Sequence, residues 1–123
     1  MDAIKEKTEA FMDYLESIVK PDGKMSRFDD IINAVLEETD GITLDAIKAP
    51  NRSRTYSIPR QLIMYLELEY GYPSTRVGEA LQRTHATVLY GRKCVIIWQK
   101  NPSSYRREFD LYKRVKERLN KQL

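Results

Sequence analysis

The chain of 123 residues has a single cysteine, Cys94, and a single histidine, His85. One cysteine excludes an internal disulfide and a zinc site built on cysteines. One histidine and one cysteine also do not make a convincing mixed zinc site or a nucleophilic triad. We therefore expect no metal, no cofactor and no catalytic residue, and we interpret Cys94 as a buried or half-buried small residue.

Glycine is scarce as well, with five residues scattered along the chain. None of them belongs to the glycine-rich loop of a nucleotide-binding site, so no ATPase module is expected. The neighbouring acids Asp29–Asp30 and Glu37–Glu38 are interpreted as solvated faces rather than as catalytic pairs. The sequence therefore favours a binding protein over an enzyme.

Long apolar runs are missing too. No stretch approaches the roughly 18 apolar residues of a membrane-spanning helix. Residues 1–20 alternate acids and bases with apolar residues, which is unlike a secretory signal. The composition is 41% hydrophobic and 32% charged, and the length suits one globular domain. We expect a single cytoplasmic domain over 1–123 with no membrane partner.

Charge is distributed unevenly along the chain. Residues 1–47 hold 12 acids and 5 bases, whereas residues 48–123 hold 6 acids and 16 bases. The net charge is therefore −7 in the first part and +10 in the second. A separation this large within one small domain indicates a basic face for a polyanion. Ordinary solvated lysines and arginines are the alternative interpretation.

The apolar residues recur at helical spacing, and few segments alternate with the period of a strand. The pattern predicts an all-α protein. A first helix spans about 2–20, Ser26 caps a second helix, and Thr43 caps a short helical turn. The second helix has an apolar face formed by Phe28, Ile31, Ile32, Val35 and Leu36.

A polar and basic loop over 48–54 precedes a third long helix. We expect this helix to begin near Ser57, with Pro59 in its first turn, where a missing N–H does no harm. Gly71 and Pro73 end it.

The stretch from Ser74 to Trp98 predicts two helices joined by a tight turn. Ser74 or Thr75 caps the first helix, the turn is Leu81–Arg83, and Thr84 caps the second helix. Four residues of the second helix face inward at helical spacing, namely Val88, Gly91, Val95 and Trp98. This arrangement is a helix-turn-helix, whose second helix lies in the major groove of DNA.

The first residues of such a recognition helix contact base edges. Here they are Thr84, His85, Ala86 and Thr87. Hydroxyl and imidazole groups donate or accept hydrogen bonds at base edges, and an alanine methyl contacts the thymine methyl. Taken alone, His85 is more often a surface or capping residue. We interpret Tyr90, like the other tyrosines of this region, as a packing or rim residue.

Three linked motifs carry a resemblance to a known family. Residues 51–54 read Asn-Arg-Ser-Arg, residues 58–66 read Ile-Pro-Arg-Gln-Leu-Ile-Met-Tyr-Leu, and residues 77–93 read Val-Gly-Glu-Ala-Leu-Gln-Arg-Thr-His-Ala-Thr-Val-Leu-Tyr-Gly-Arg-Lys. Residues 26–98 resemble the C-terminal DNA-binding domain (domain IV) of the bacterial replication initiator DnaA. The resemblance implies a helix-turn-helix bundle similar to the Trp repressor. It also implies sequence-specific binding of double-stranded DNA in a prokaryote or phage, in the control of replication or transcription.

The resemblance implies a role for individual positions. Arg52 matches an arginine that enters the minor groove, where the negative potential favours a guanidinium. Arg60 and Gln61 match phosphate-contacting residues at a helix start, and His85 matches a base-contacting histidine. The implied DNA-contacting residues are Arg52, Ser53, Arg54, Arg60, Gln61, Arg83, Thr84, His85, Ala86, Thr87, Arg92 and Lys93.

The chain also departs from the family pattern. Gln82 stands where the family has two glycines, so the turn before the recognition helix is one residue shorter. Thr84 replaces an aspartate that reads a base, and Ala86 replaces a threonine. We therefore expect a DNA site that differs from the usual DnaA box or is read less strictly.

Two segments flank this core. Residues 1–25 are expected to form an acidic N-terminal helix that covers the core, dimerises or docks on a protein partner. Residues 99–123 are expected to form a basic C-terminal helix, capped by Ser103 or Ser104, with one side made of Tyr105, Phe109, Tyr112 and Leu119. A monomer is favoured, with a dimer as the alternative. Two alternative functions stay open: a protein-interaction module that has lost DNA binding, or the DNA-recognition subunit of a larger assembly.

Overall fold

The computed structural model describes residues 27–122, and this part of the chain contains helices, turns and loops but no strand. Its helices are α1 (Arg27–Glu37), α2 (Leu44–Lys48), α3 (Arg54–Glu69), α4 (Ser74–Leu81), α5 (His85–Lys100) and α6 (Arg106–Gln122). The prediction of an all-α helix-turn-helix bundle is confirmed. The helix expected over 2–20 and the Ser26 cap lie outside the described residues. Within 27–122, none of the helices combines the length and the apolar content needed to cross a membrane.

Helix α3 lies at the centre of the bundle and contacts α1, α2, α4 and α5, while α6 packs against α1 and α5. Four apolar residues of α3 are almost completely buried, namely Leu62, Ile63, Met64 and Leu66. The predicted inner face of α1 is confirmed, since Phe28, Ile31, Ile32 and Val35 are buried and Leu36 is half-buried. The core therefore surrounds α3, and the groups that border α3 are held in fixed positions.

The start of α3 differs from the prediction. The helix begins at Arg54, upstream of the start expected near Ser57. The reason is a cap at Ser53, whose hydroxyl accepts a hydrogen bond from the backbone N–H of Thr55 at 3.3 Å. Pro59 consequently lies inside the helix rather than in its first turn, where its ring removes the hydrogen bond that the Thr55 carbonyl would otherwise accept.

The predicted caps of α4 and α6 are also wrong. Helix α4 begins at Ser74 itself, after Pro73, and has no side-chain cap. Helix α6 begins at Arg106, later than a Ser103 or Ser104 cap requires. Its buried face consists of Glu108, Leu111, Val115 and Leu119. Of the predicted stripe only Leu119 is buried, while Tyr105, Phe109 and Tyr112 are half-buried.

Helix α5 follows the prediction closely. Val88, Gly91, Val95 and Trp98 are all buried. Gly91 faces α3, and a Cβ atom built on it would collide with the sulfur of Met64. The absent side chain at Gly91 thus leaves room for α5 to pack closely against Met64 of α3. Cys94 is half-buried, as predicted.

Candidate nucleic-acid interface

The turn between α4 and α5 has the geometry of a helix-turn-helix. Gln82 ends α4 in the left-handed region, with a φ of 55°. Thr84 then caps α5, because its hydroxyl oxygen accepts a hydrogen bond from the backbone N–H of Thr87 at 3.2 Å. The hydroxyl oxygens of Thr84 and Thr87 also lie 3.0 Å apart. The predicted cap is confirmed, and it fixes the direction in which α5 leaves the turn.

The outward face of α5 is exposed along its first half. His85, Ala86 and Thr87 are exposed at its start. One turn later the large side chains of Leu89 and Tyr90 are 46% and 63% exposed. Arg92 and Lys93, which follow, are exposed as well. A helix face that mixes small, apolar and basic residues in this way can contact base edges, thymine methyls and phosphates.

The loop before α3 runs alongside this face. Arg52 is exposed on it, and the loop, α3, the turn and the start of α5 together enclose a groove of about 540 Å³. We call this the loop groove. The polar side chains that line it, apart from two arginines described below, are Asn51, Arg52, Ser57, Gln61, Gln82, Thr87 and Tyr90. The walls of the loop groove offer hydrogen-bond donors from four separate elements, namely the loop, α3, the turn and α5.

Tyr90 is an exposed aromatic residue at the edge of the loop groove. The pKa of its phenol is raised, chiefly because of a side-chain hydrogen bond with Cys94. Like other tyrosines it is protonated at neutral pH, and a protonated phenol can donate a hydrogen bond to an anion.

Arg60 is buried at the bottom of the loop groove, with 6% of its surface exposed. Its Nε donates a hydrogen bond to the carbonyl of Ile47 at 2.8 Å, and its Nη2 donates to the carbonyls of Asn51 at 3.0 Å and Ala49 at 3.3 Å. Burial, followed by the nearby charge of Arg83, lowers the pKa of Arg60. The guanidinium thus binds the protein's own main chain, which differs from the phosphate contact that the resemblance implies.

Arg83 binds the same loop from the turn. Its Nη1 donates hydrogen bonds to the carbonyls of Lys48 at 2.9 Å, Leu81 at 3.1 Å and Gln82 at 3.1 Å. Its Nη2 donates to the carbonyl of Ala49 at 2.8 Å. Arg83 therefore connects the turn of the helix-turn-helix to the loop that carries the exposed arginine.

The side chain of Arg54 points away from the loop groove and towards α6. Its Nη2 lies 2.6 Å from Oε1 of Glu108 on α6. The side chain of Glu108 is only 9% exposed, whereas that of Arg54 is 68% exposed. The ion pair holds the start of α3 against α6 and keeps Arg54 out of the loop groove.

The predicted DNA-contacting residues fall into three groups. The loop groove brings together Arg52, Arg60, Gln61, Arg83 and Thr87. Thr84, His85 and Ala86 lie next to it at the start of α5. Outside its lining lie Ser53, Arg54, Arg92 and Lys93. Ser57 and Tyr90 are groove residues that the sequence reasoning missed. Ser57 lies four residues before Gln61, and Tyr90 lies three residues after Thr87. Because residues three or four apart share a helix face, this spacing could have predicted both.

Among residues 27–122, no three histidine, cysteine, aspartate or glutamate side chains lie close enough together to hold a metal ion.

Comparisons with known proteins agree with the helix-turn-helix geometry. Residues 28–95 match the family model of the bacterial DnaA protein helix-turn-helix. The chain is also 35% identical over 79 residues to the chromosomal replication initiator protein DnaA of Lachnoclostridium phytofermentans. That match covers 63% of this chain and 17% of the relative, so the chain spans a small part of the relative's length. Because the family model covers more than half of its residues, the chain belongs to the bacterial DnaA helix-turn-helix family.

Proposed function

We propose that this chain binds double-stranded DNA in a sequence-specific manner and acts in the control of replication initiation or transcription, without ATPase activity in these 123 residues. The observation that carries the proposal is that the exposed start of α5 and the exposed Arg52 lie on two sides of one groove. The name of the relative, a chromosomal replication initiator, supports the proposed process.

In this proposal, α5 enters the major groove and presents His85 and Ala86 to base edges. Arg52 enters the adjacent minor groove, where the potential is most negative. The DNA backbone strand that separates the two grooves then passes along the loop groove, where Gln61 and Tyr90 donate hydrogen bonds to phosphates. The chain acts as a monomer, with residues 26–98 as the DNA-binding core.

The base preference is proposed to differ from that of the usual DnaA box. The hydroxyl of Thr84 accepts a hydrogen bond from the Thr87 backbone N–H, so it is already engaged in the cap of α5. The Thr84 hydroxyl oxygen also lies 3.0 Å from the hydroxyl oxygen of Thr87, so a second contact holds it within the protein. Base reading at the start of the helix is therefore left to His85 and Ala86, of which Ala86 offers only a methyl group. A methyl favours thymine by apolar contact and gives weaker discrimination than a bidentate hydrogen bond.

Selection of bound duplexes from a random pool, followed by anisotropy titrations, tests the proposal. The selected duplex is expected to bind more tightly than random duplex, and both affinities are expected to fall steeply as salt increases. Arg52→Ala is expected to weaken binding and to lower the slope of log affinity against log salt by about 1. His85→Ala is expected to relax the preference at one base position by about 1–3 kcal/mol.

Lys116→Ala is the matched control. The Lys116 amine lies 5.8 Å from the ring centre of Tyr70, which follows the C-terminal end of α3. Because α3 has 16 residues, this site lies about 24 Å along the helix axis from the loop that carries Arg52. The control removes one positive charge and should leave affinity unchanged.

Three outcomes would contradict parts of the proposal. No duplex binding at low salt would reject DNA binding and favour the protein-interaction module. Recovery of the unaltered DnaA box as the best site would reject the altered specificity. Unchanged affinity and base preference in both Arg52→Ala and His85→Ala would show that the site is assigned to the wrong residues.

A further inference from the structure

We propose that Arg60 and Arg83 are positioning residues, which join the Arg52 loop and the turn before α5 into one rigid unit. They would thereby hold the minor-groove contact and the major-groove contact in a fixed register. This inference rests on the proposed DNA binding and assigns to two of its residues a role that does not involve touching DNA.

The hydrogen-bond acceptors of Arg60 and Arg83 explain why both positions carry an arginine. Helix α2 has only five residues and ends at Lys48. The last carbonyls of a helix have no partner within the helix, and cationic side chains bind them favourably. The carbonyls of Ile47, Lys48 and Ala49 belong to this end, and all of them accept hydrogen bonds from Arg60 or Arg83.

The two guanidinium groups converge on one atom. The carbonyl oxygen of Ala49 accepts a hydrogen bond from Nη2 of Arg60 at 3.3 Å and from Nη2 of Arg83 at 2.8 Å. Arg60 comes from α3, and Arg83 comes from the turn before α5. A single peptide group therefore links α3, the end of α2 and the helix-turn-helix turn. We call the hydrogen bonds that Arg60 and Arg83 donate to these carbonyl groups the brace. The carbonyl dipoles around it offset the repulsion between the two positive charges.

The physical benefit of the brace is that the Arg52 loop is already ordered before it binds DNA. An unbraced loop has to be ordered when it binds, and that loss of conformational freedom lowers affinity. Arg60 also reaches the carbonyl of Asn51, directly before Arg52, so the bracing extends to the residue next to the minor-groove contact. The brace thus fixes where Arg52 lies relative to the start of α5.

Substitution of Arg60 or Arg83 by lysine distinguishes a role in the brace from a phosphate contact. Lysine keeps the positive charge and binds phosphate as a point charge, but it lacks the planar set of donors with which arginine reaches several acceptors at once. Arg60 donates three hydrogen bonds to carbonyls and Arg83 donates four. Arg60→Lys and Arg83→Lys should therefore loosen the brace while preserving the electrostatic attraction.

The test is a double-mutant cycle on the full chain with the selected duplex. Arg60→Lys is expected to weaken binding about five- to tenfold in the native background and less than about twofold in an Arg52→Ala background, since both changes act on the same contact. Arg83→Lys is expected to weaken binding in both backgrounds, because it also loosens the start of α5. Near-native affinity of both lysine variants, or an equal loss for Arg60→Lys in the two backgrounds, would overturn the inference.

Amide hydrogen exchange of the free protein gives a second readout that does not depend on DNA. The backbone N–H groups of Ala49 and Asn51 donate hydrogen bonds within the braced segment, and both should exchange faster in Arg60→Lys. Unchanged exchange there would overturn the inference even if DNA binding fell. Absence of duplex binding by the native chain would instead reject the proposed function, while the exchange result would still decide on the brace.

Arg118→Lys is the matched control for lost arginine hydrogen bonds. The guanidinium of Arg118 donates to both Glu37 and Glu38, with distances of 2.5–2.9 Å, at the end of α1. It lines none of the loop groove. Its replacement is expected to leave duplex affinity within twofold of native, so a loss equal to that of Arg60→Lys would point to general destabilisation and overturn the inference.

Discussion

Gln82 occupies a backbone conformation that suits glycine better. Its φ of 55° lies in the left-handed region, at the one residue that separates the end of α4 from Arg83. A side chain in this region costs roughly 1 kcal/mol, which the packing on either side has to offset. Gln82 thus closes the turn between α4 and α5 without a glycine at the left-handed position.

Gln82→Gly is expected to raise the free energy of unfolding by about 0.5–1 kcal/mol. Glycine removes the left-handed strain, although it gains more conformational freedom when the chain unfolds, which limits the benefit. Urea titration monitored by circular dichroism measures the change. Gln99→Gly, inside α5, is the control and should lower stability by about 1 kcal/mol. A loss of stability in Gln82→Gly would contradict the assignment of strain.

Tyr90 provides a second prediction at this scale. Tyr90→Ala is expected to weaken duplex binding about fivefold, because it removes both an aromatic surface and a hydrogen-bond donor from the edge of the loop groove. Tyr90→Phe keeps the ring and should show a smaller loss. The same anisotropy titration measures both variants. Equal affinities of native protein and Tyr90→Ala would place the DNA backbone elsewhere.

At the residue scale, the sequence predicted which side chains line the groove better than it predicted their hydrogen-bond partners. Arg52, Gln61 and Thr87 were predicted as contacts, and they do line one groove. The hydrogen bonds of Arg60 and Arg83 were not predictable, because their acceptors are main-chain carbonyls, which every residue possesses. Those carbonyls lie up to 13 and 35 residues away along the chain.

Among the secondary structure elements, the pair α4 and α5 depends on a close contact at Gly78. A Cβ atom built on Gly78 would lie 2.5 Å from the carbonyl oxygen of Arg83, in the turn. Backbone atoms cannot move aside as a flexible side chain can. The short turn is therefore compatible with the position of α5 only because α4 has no side chain at this point.

Gly78→Ala is expected to lower the free energy of unfolding by about 1–2 kcal/mol. The clash with the turn outweighs the roughly 1 kcal/mol by which alanine favours a helix. Thermal and urea unfolding measure the effect, and Glu79→Ala at the neighbouring exposed position is the control. If Gly78→Ala were as stable as native protein, the turn would have to be more adaptable than its geometry indicates.

Helix interiors were easier to predict than helix ends. The buried stripe Val88, Gly91, Val95 and Trp98 followed directly from spacing. The start of α3 could not be predicted from spacing, because Ser53 lies within a basic polar run that also fits a loop. Polar residues next to a helix start fit a loop and a cap equally well, and only the local hydrogen bonds decide between them.

On the scale of the whole molecule, α6 is held to the end of α1 by charged groups far apart in sequence. Arg114 and Arg118 both donate to Glu38, at distances of 2.5–3.1 Å. The Glu38 side chain is only 17% exposed. Hydrogen bonding from Arg118 first, and from Arg114 in addition, lowers the pKa of Glu38, although its burial opposes the shift. The spacing of 76–80 residues explains why no local pattern predicted these pairs.

This arrangement predicts a dependence of stability on pH. A carboxyl group whose pKa is lowered by folding stabilises the folded state above its ordinary value of 4.5. That contribution is lost as pH falls through the lowered value. Glu38→Gln should therefore be less stable than native protein near neutral pH, and the difference should shrink below about pH 4.5. Urea unfolding over the range measures it, with Glu79→Gln as the control. A difference that did not depend on pH would contradict the assignment.

The brace at Ala49 has a consequence for how such a protein can diversify. Arg60 and Arg83 bind carbonyl oxygens, so these hydrogen bonds do not depend on which side chain stands at position 52. Position 51 differs, because the Asn51 side chain accepts a hydrogen bond from the backbone N–H of Ser53 at 2.9 Å. In the proposed complex, position 52 can therefore carry different side chains at the same place relative to the minor groove. A library randomised at position 52 should yield folded proteins with different preferences for the flanking bases, while the contacts of α5 stay the same.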